Sequence, residues 1–454
     1  MVRILIYSVI YIVIQCDEIS RSLDCDIKYV FNGKLGVKIA DCKNRGLQFI
    51  PEDLPRDINV LDISSNRLKS IENSSLIIYP HLQELYLRTN QLKYLSDKSF
   101  QGLYNLAVLD MSHNLLDLSY AYLAELFFPI QNLTKLDIRS NMPQPENYDK
   151  EFNYPDHAFG VLRELTFLGI DMMPVPNFGS GFSEMKKLRK LYFKSCYLVR
   201  LSNETFQTFS SSVEELYLRN CRLKFVKTED DALSPFPHLR VLDFFGTFMH
   251  LTRALLLLHP YRYRNMTTIN FGHVSDLTID SDDFPYALTI TSDIMTNLKS
   301  ICIENLDLSQ NGIVDYKHGS LLSFDQPECL QHLSLKGNRL LLAYIKNHEE
   351  INSFFRKALR LQTLDYSYNV VNFFIENSLT SDSDFKSSGD SHVILPASLE
   401  QLDISFTIVN TLPLLFIVPK INNLTYLDIS YTNTTVTMLF IELRLETFIS
   451  AGTR

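Results

Sequence analysis

One pattern constrains this chain more than any other property it has. Apolar residues recur at the first, fourth, sixth and eleventh places of a frame whose ninth place is Asn or Cys. Ile58, Leu61, Ile63, Asn66 and Leu68 set the frame, and it returns after 24 residues at Leu82, Leu85, Leu87, Asn90 and Leu92. Leu106, Leu109, Met111, Asn114 and Leu116 repeat it after another 24. Further copies begin at Leu133, Leu188, Val213, Ile303, Leu330 and Leu361, and worn ones at Leu162, Leu239, Met266, Leu399 and Leu424, 14 in all. The fourth and sixth places are two apart, so in an extended strand both side chains point the same way. One such strand cannot bury its leucines alone, but stacked copies form a parallel sheet over a continuous core. The ninth residue sits where the chain leaves the strand, and its side chain can satisfy backbone groups that leave the ladder there.

This is the leucine-rich-repeat pattern, and the fold it predicts is α/β: a leucine-rich-repeat solenoid (horseshoe) with a concave parallel β-sheet. Phe100, Phe159 and Phe206 precede their next strands at similar offsets and are expected in the outer half of the core. Spacing widens to 37 residues between Met266 and Ile303 and to 38 between Leu361 and Leu399, and such insertions map to the back or rim. Ile345, Ile351, Phe354, Phe355 and Ala358 recur at helical spacing within Tyr344 to Leu361. Ser119 to Phe128 reads as a helical turn or two, and the Ser- and Asp-rich stretch Ser378 to Ser391 as an exposed loop.

The ends set the compartment. Residues 1–16 read as a secretory signal peptide: Arg3 leads an apolar run from Ile4 to Ile14 that is too short to cross a bilayer. A membrane anchor or buried strand is the alternative. Residues 17–57, with Cys25 and Cys42, stand where a disulfide cap would shield the first rung; repeats fill 58–435, and 436–454 remain as a tail. Cys302 and Cys329 immediately precede the first places of neighbouring repeats. Equivalent points on adjacent strands lie about 4.8 Å apart, inside the roughly 4.4–6.8 Å window for bridged Cα atoms, so they are expected to pair. Cys196 and Cys221 hold the ninth place of successive repeats; they could form a disulfide or a metal pair, but are expected to be free thiols replacing the ladder asparagine.

Asp41-Cys42 through Leu54-Pro55 and Leu61-Asp62, together with the irregular central repeats, resemble Toll-like receptors over nearly the whole chain. The resemblance implies an extracellular domain that recognises a protein or microbial ligand on its concave face or rim and can pair with another ectodomain. Toll-like receptors also carry a cysteine-rich C-terminal cap, a membrane span and a cytoplasmic signalling domain. No cysteine follows Cys329 and residues 437–454 supply neither cap nor span, so a receptor fragment, truncated product or soluble form is expected, and membrane attachment would need a segment outside this chain.

No catalytic constellation, cofactor motif or metal cluster stands out, so no enzyme and no cofactor is expected. The net charge of −9 argues against nucleic acid as a partner, because phosphate binding needs a dense basic surface. Sequons at Asn73, Asn132, Asn203, Asn265, Asn423 and Asn433 are candidate glycosylation sites in a secreted chain. In most repeats the outward fifth place is Asp, and the seventh is often Ser, a solvated face. Tyr192, Lys194, Tyr217 and Arg219 break that rule, and aromatic and Arg enrichment marks binding hot spots. They are the candidate ligand-binding residues, with cross-strand packing as the plainer explanation and an acidic ligand as the expected partner. The function read from the sequence is ligand recognition by a pattern-recognition ectodomain; an adhesion or matrix protein and a secreted decoy are the rivals.

Overall fold

The computed structural model describes residues 25–32, 35–194, 196–221, 227–274, 288–340, 348–369, 392–407, 415–417, 422–432, 437–439 and 446–450. The signal segment 1–16, the loop 378–391 and Asn433 lie outside these residues. The chain forms two compact units, residues 1–216 and 217–454.

The first unit opens on an antiparallel hairpin, Asp26–Asn32 with Leu35–Asp41, whose ends are joined by the Cys25–Cys42 disulfide at a Cα separation of 4.5 Å. The second hairpin strand then pairs in parallel with Val60–Asp62, so the hairpin acts as a rung ahead of the first repeat. Parallel strands follow at Glu84–Tyr86, Val108–Asp110, Lys135–Asp137, Phe167–Asp171 and Lys190–Lys194. Ala40, Leu61, Leu85, Leu109, Leu136, Leu168 and Leu191 align across them, each with no measurable exposure.

The register corrects one frame. Leu168 pairs with Leu136, so the worn copy starts at Leu165 and not at Leu162. Both leucines are fully buried; apolar pattern alone admits either frame, and only the hydrogen-bond register separates them. Behind the sheet, Phe100, Phe127, Phe159 and Phe182 run as a chain of fully buried rings with centroids 5.4–6.3 Å apart. Phe206 joins through Phe209. Each ring supplies large apolar area where single loops would pack poorly. Ser119 to Phe128 forms turns leading into one 3-10 turn, Phe128–Ile130.

In the second unit, parallel strands run through Val241–Asp243, Asn265–Asn270, Cys302–Asp307, His332–Ser334, Thr363–Asp365, Gln401–Asp403 and Tyr426–Asp428. The helix His348–Lys357 lies within the stretch that the spacing marked, and Phe354 within it and Ala358 just after it are buried. Glu350 in its first turn is buried and accepts hydrogen bonds from Gly319 N (3.1 Å) and Ser323 Oγ (3.3 Å), tying the helix to the preceding loop.

A further strand, Thr447–Ile449, pairs with Tyr426–Asp428, so the frame gains another copy, with Phe448 in its fourth place, inside what reads as tail. It covers Leu424 and Leu427, which are 2% and 0% exposed, and leaves Phe448 50% exposed in their stead. Phe448→Glu is therefore expected to raise the concentration at which the chain aggregates. Half its ring is already wet, so melting should stay within about 2 °C of the parent; a drop of several degrees by calorimetry would show that Phe448 belongs to the core.

A ladder of asparagines runs along the turn that ends each strand. Asn90 Oδ1 accepts from Leu68 N, while its Nδ2 donates to Ile63 O and Leu87 O. Asn114, Asn311, Asn338 and Asn369 repeat this bridge between successive rungs. Where the frame loses its asparagine at Met173, the fully buried Asp171 substitutes, its carboxylate accepting from Ser140 N, Asn141 N and Met142 N at 2.7–2.9 Å. Cys196 and Cys221 also stand in ladder places, but they are both disulfide-bonded and not free. The strand-spacing argument made for Cys302 and Cys329, which are bridged at a Cα separation of 5.5 Å, applies equally to thiols at the ninth place of successive repeats.

Candidate ligand-binding surface

The fifth-place aspartates are less solvated than alternation alone suggests. Asp62, Asp110, Asp307, Asp365, Asp403 and Asp428 each accept, through Oδ1, the backbone N–H two residues on, at 2.8–3.0 Å. They close the turn out of the strand, and the eighth residue takes a left-handed conformation just behind it. Ser65, Thr89, His113 and Ser140 have φ between 55° and 58° in the first unit.

The four candidate residues divide between the units. Tyr192 and Lys194 lie on the strand Lys190–Lys194 in the first, and both are half-buried. The Arg139 guanidinium lies 4.0 Å above the Tyr192 ring centroid, a cation–π contact. Arg139 is held there by Asp137 through its Nε at 2.8 Å and a second contact from Nη2 at 2.5 Å. Gly169 makes this possible, since a Cβ there would come within 2.8 Å of Arg139 Nε and 2.7 Å of Asp137 Oδ1. Arg139, Gly169 and Tyr192 come from three successive rungs, so no short motif could have revealed the contact. Sequence reading missed Arg139.

His113, in the eighth place one rung before that of Arg139, feels the charges of this group. Its pKa is lowered from the usual 6.5, by desolvation first and then by the charge of Arg88, with Lys194 and Arg139 adding to the same effect and Asp137 opposing it. Neither Arg88 nor Lys194 makes an ion pair among the described residues. Lys190, beside them, is engaged with Glu215 at 2.7 Å.

In the second unit, Arg219 grips Asp243, which is 3% exposed, through Nε at 2.7 Å and through Nη2. Its charge is thus compensated within the fold. Arg219→Glu would set a second carboxylate against a buried one and is expected to destabilise the unit. Tyr217 lies on the strand Glu215–Leu218 and is half-buried.

Among the described residues no group of His, Cys, Asp or Glu could hold a metal ion, and no helix is long and apolar enough to cross a membrane. Asn73, Asn132, Asn203, Asn265 and Asn423 lie among the described residues, none of them buried. Residues 56–116 and 80–142 match the family described as leucine rich repeat. With the aligned rungs and the asparagine ladder, that decides the fold. This is a leucine-rich-repeat solenoid.

Leucine-rich-repeat relatives differ widely in kind. Tsukushi-A of Xenopus laevis is 41% identical over 106 residues, covering 23% of this chain and 29% of that protein. Toll-like receptor 3 of Bos taurus is 28% identical over 187 residues, covering 41% and 18%. Toll-like receptor 4 of Equus caballus is 25% identical over 467 residues, covering 87% and 50%. The chain thus spans half or less of each relative's own length. The matched repeats are of the leucine-rich-repeat kind.

Proposed function

We propose that this chain is the extracellular ligand-recognition region of a Toll-like pattern-recognition receptor, and that it binds an acidic ligand on the sheet face of the first unit. The cluster of Arg88, His113, Arg139, Tyr192 and Lys194 carries the reading. Cations gathered around an imidazole that is harder than usual to protonate form a positive field in an acidic chain, and Tyr192 adds a rigid apolar contact. Disulfides point to an oxidising compartment, and the sequons would carry glycans there. Similarity to Toll-like receptor 4 along 87% of the chain supports the receptor role, with pairing of two ectodomains as its output. The higher identity to Tsukushi-A, outside the Toll-like family, favours a second reading: a matrix protein or decoy that binds without signalling.

A heparin-derived hexasaccharide should bind, and neutral maltohexaose should not. Arg88→Gln with Lys194→Gln should weaken binding at least tenfold, about 1.4 kcal/mol, with melting unchanged. A bound anion favours the charged imidazolium, so affinity should rise as pH falls through the depressed pKa of His113, below 6.5; His113→Asn should flatten that dependence. Equal affinity of the parent and the double variant would sink the acidic-ligand reading. A chimera joining this chain to the span and signalling domain of a Toll-like receptor separates the roles: hexasaccharide binding without a reporter response would favour the matrix protein or decoy.

A further inference from the structure

A different surface lies in the second unit. Tyr368, Phe406 and Tyr431 occupy the eighth place of three successive repeats, at φ of 58°, 51° and 53°. Bulky side chains are poor choices for left-handed backbone, which favours Gly and Asn; elsewhere in this unit the same place is held by Asn220, Gly246, His273, Gln310 and Gly337. Here the rings stack instead, Tyr368 on Phe406 at 4.6 Å and Phe406 on Tyr431 at 4.5 Å, tilted by only 9° and 19°. Tyr368 and Tyr431 remain 47% and 55% exposed. The fifth-place carboxylates of the same three repeats, Asp365, Asp403 and Asp428, align on paired neighbouring strands, Asp428 with 9% exposure.

The first rung shows what such a pair accepts. Lys336, from the preceding repeat, places its Nζ 3.6 Å from Asp365 Oδ2 and 5.2 Å from the Tyr368 ring centroid. At the next two rungs the equivalent residues are Ser367 and Ser405, both buried. They supply no cation, and neither Asp403 nor Asp428 has an ion-pair partner among the described residues. The Asp403 carboxyl is held above its ordinary pKa of 3.8, by burial first and also by the charges of Asp365 and Asp428, against the lowering hydrogen bonds from Ser405.

We propose that the ring strip Tyr368, Phe406 and Tyr431, with Asp403 and Asp428 beside it, docks an extended basic segment of a protein partner. Lysine or arginine heads take the cation places that Lys336 fills at the first rung, and their aliphatic stems lie along the exposed ring edges. This surface does not depend on the acidic-ligand reading of the first unit.

The test uses the whole chain and a fluorescein-labelled decapeptide of alternating lysine and threonine, followed by anisotropy. It should bind saturably while the matching glutamate–threonine peptide does not. Phe406→Asn with Tyr431→Asn should weaken binding at least tenfold with melting unchanged or raised, since Asn suits left-handed backbone. Asp403→Asn, which keeps an acceptor for Ser405 N, should weaken it several-fold, whereas Glu52→Gln, on the exposed surface of the first unit, should not. Lys336→Ser should tighten binding by opening the first rung. Absence of saturable binding, equal affinity for the aromatic double variant, or an equal loss with Glu52→Gln would overturn the proposal. A lower melting temperature for the double variant with unchanged affinity would overturn it too, reducing the rings to a structural stack.

Discussion

Replacing Asn338 with leucine should cost the second unit on the order of 4 kcal/mol. Asn338 is 1% exposed, and its Oδ1 accepts from Asn311 N at 2.9 Å and Ile313 N at 3.2 Å. Its Nδ2 donates to Leu308 O at 3.0 Å and Leu335 O at 2.9 Å. Leucine preserves the volume and removes all four bonds, leaving two donors and two acceptors buried without partners, at roughly 1 kcal/mol or more for each. Against a total stability of about 5–15 kcal/mol, that is a large fraction from one substitution. The comparison is Thr407→Val at the same place of a later repeat, where one hydroxyl reaches Tyr366 O at 3.1 Å and Ser405 O at 3.3 Å; its loss should cost about 1 kcal/mol. Urea titration followed by circular dichroism ranks the two, and hydrogen exchange at the Asn311 and Ile313 amides should quicken only in Asn338→Leu. Similar midpoints for both variants would show that the ladder asparagine contributes little.

Removing the Cys302–Cys329 bridge by changing both to serine should cost about 3.5 kcal/mol, from the loop-closure entropy that a bridge between residues 27 apart withholds from the unfolded chain. The native strands need little rearrangement, because Cys302 sits at the start of a strand and Cys329 ends the 3-10 turn Pro327–Cys329 before the next rung. Calorimetry of the oxidised parent against the double variant reads the effect directly. An unchanged melting temperature would mean that the stacked rungs already hold these ends together in the unfolded ensemble.

Much of the fold was legible because the repeat is local. The inward leucines follow from period-two geometry within one strand, and the asparagine follows from a turn that every rung must make. Errors arose where local pattern was degenerate. Leu162 and Leu165 both suit a buried place, so the frame between them waited on strand pairing. Cys196 and Cys221 fit a ladder place as thiols, and whether they bridge depends on atoms in the adjoining repeat. The ion pair of Arg219 with Asp243 was likewise out of reach of spacing, because the two lie one repeat apart along the chain.

The sequence by itself determined that rungs stack, which side chains face inward, and that backbone groups leaving each strand meet an asparagine. Each of those outcomes depends on residues within a single repeat, where spacing is the geometry. Only the tertiary structure decided what the outward side chains do. Arg139 reaches Tyr192 across the bare backbone of Gly169, Asp171 takes over for a missing asparagine, and Tyr368, Phe406 and Tyr431 stack at left-handed turns. These contacts join residues roughly 25 to 55 positions apart that strand spacing of about 4.8 Å brings side by side, and nothing in the sequence between them encodes that approach except the count of rungs.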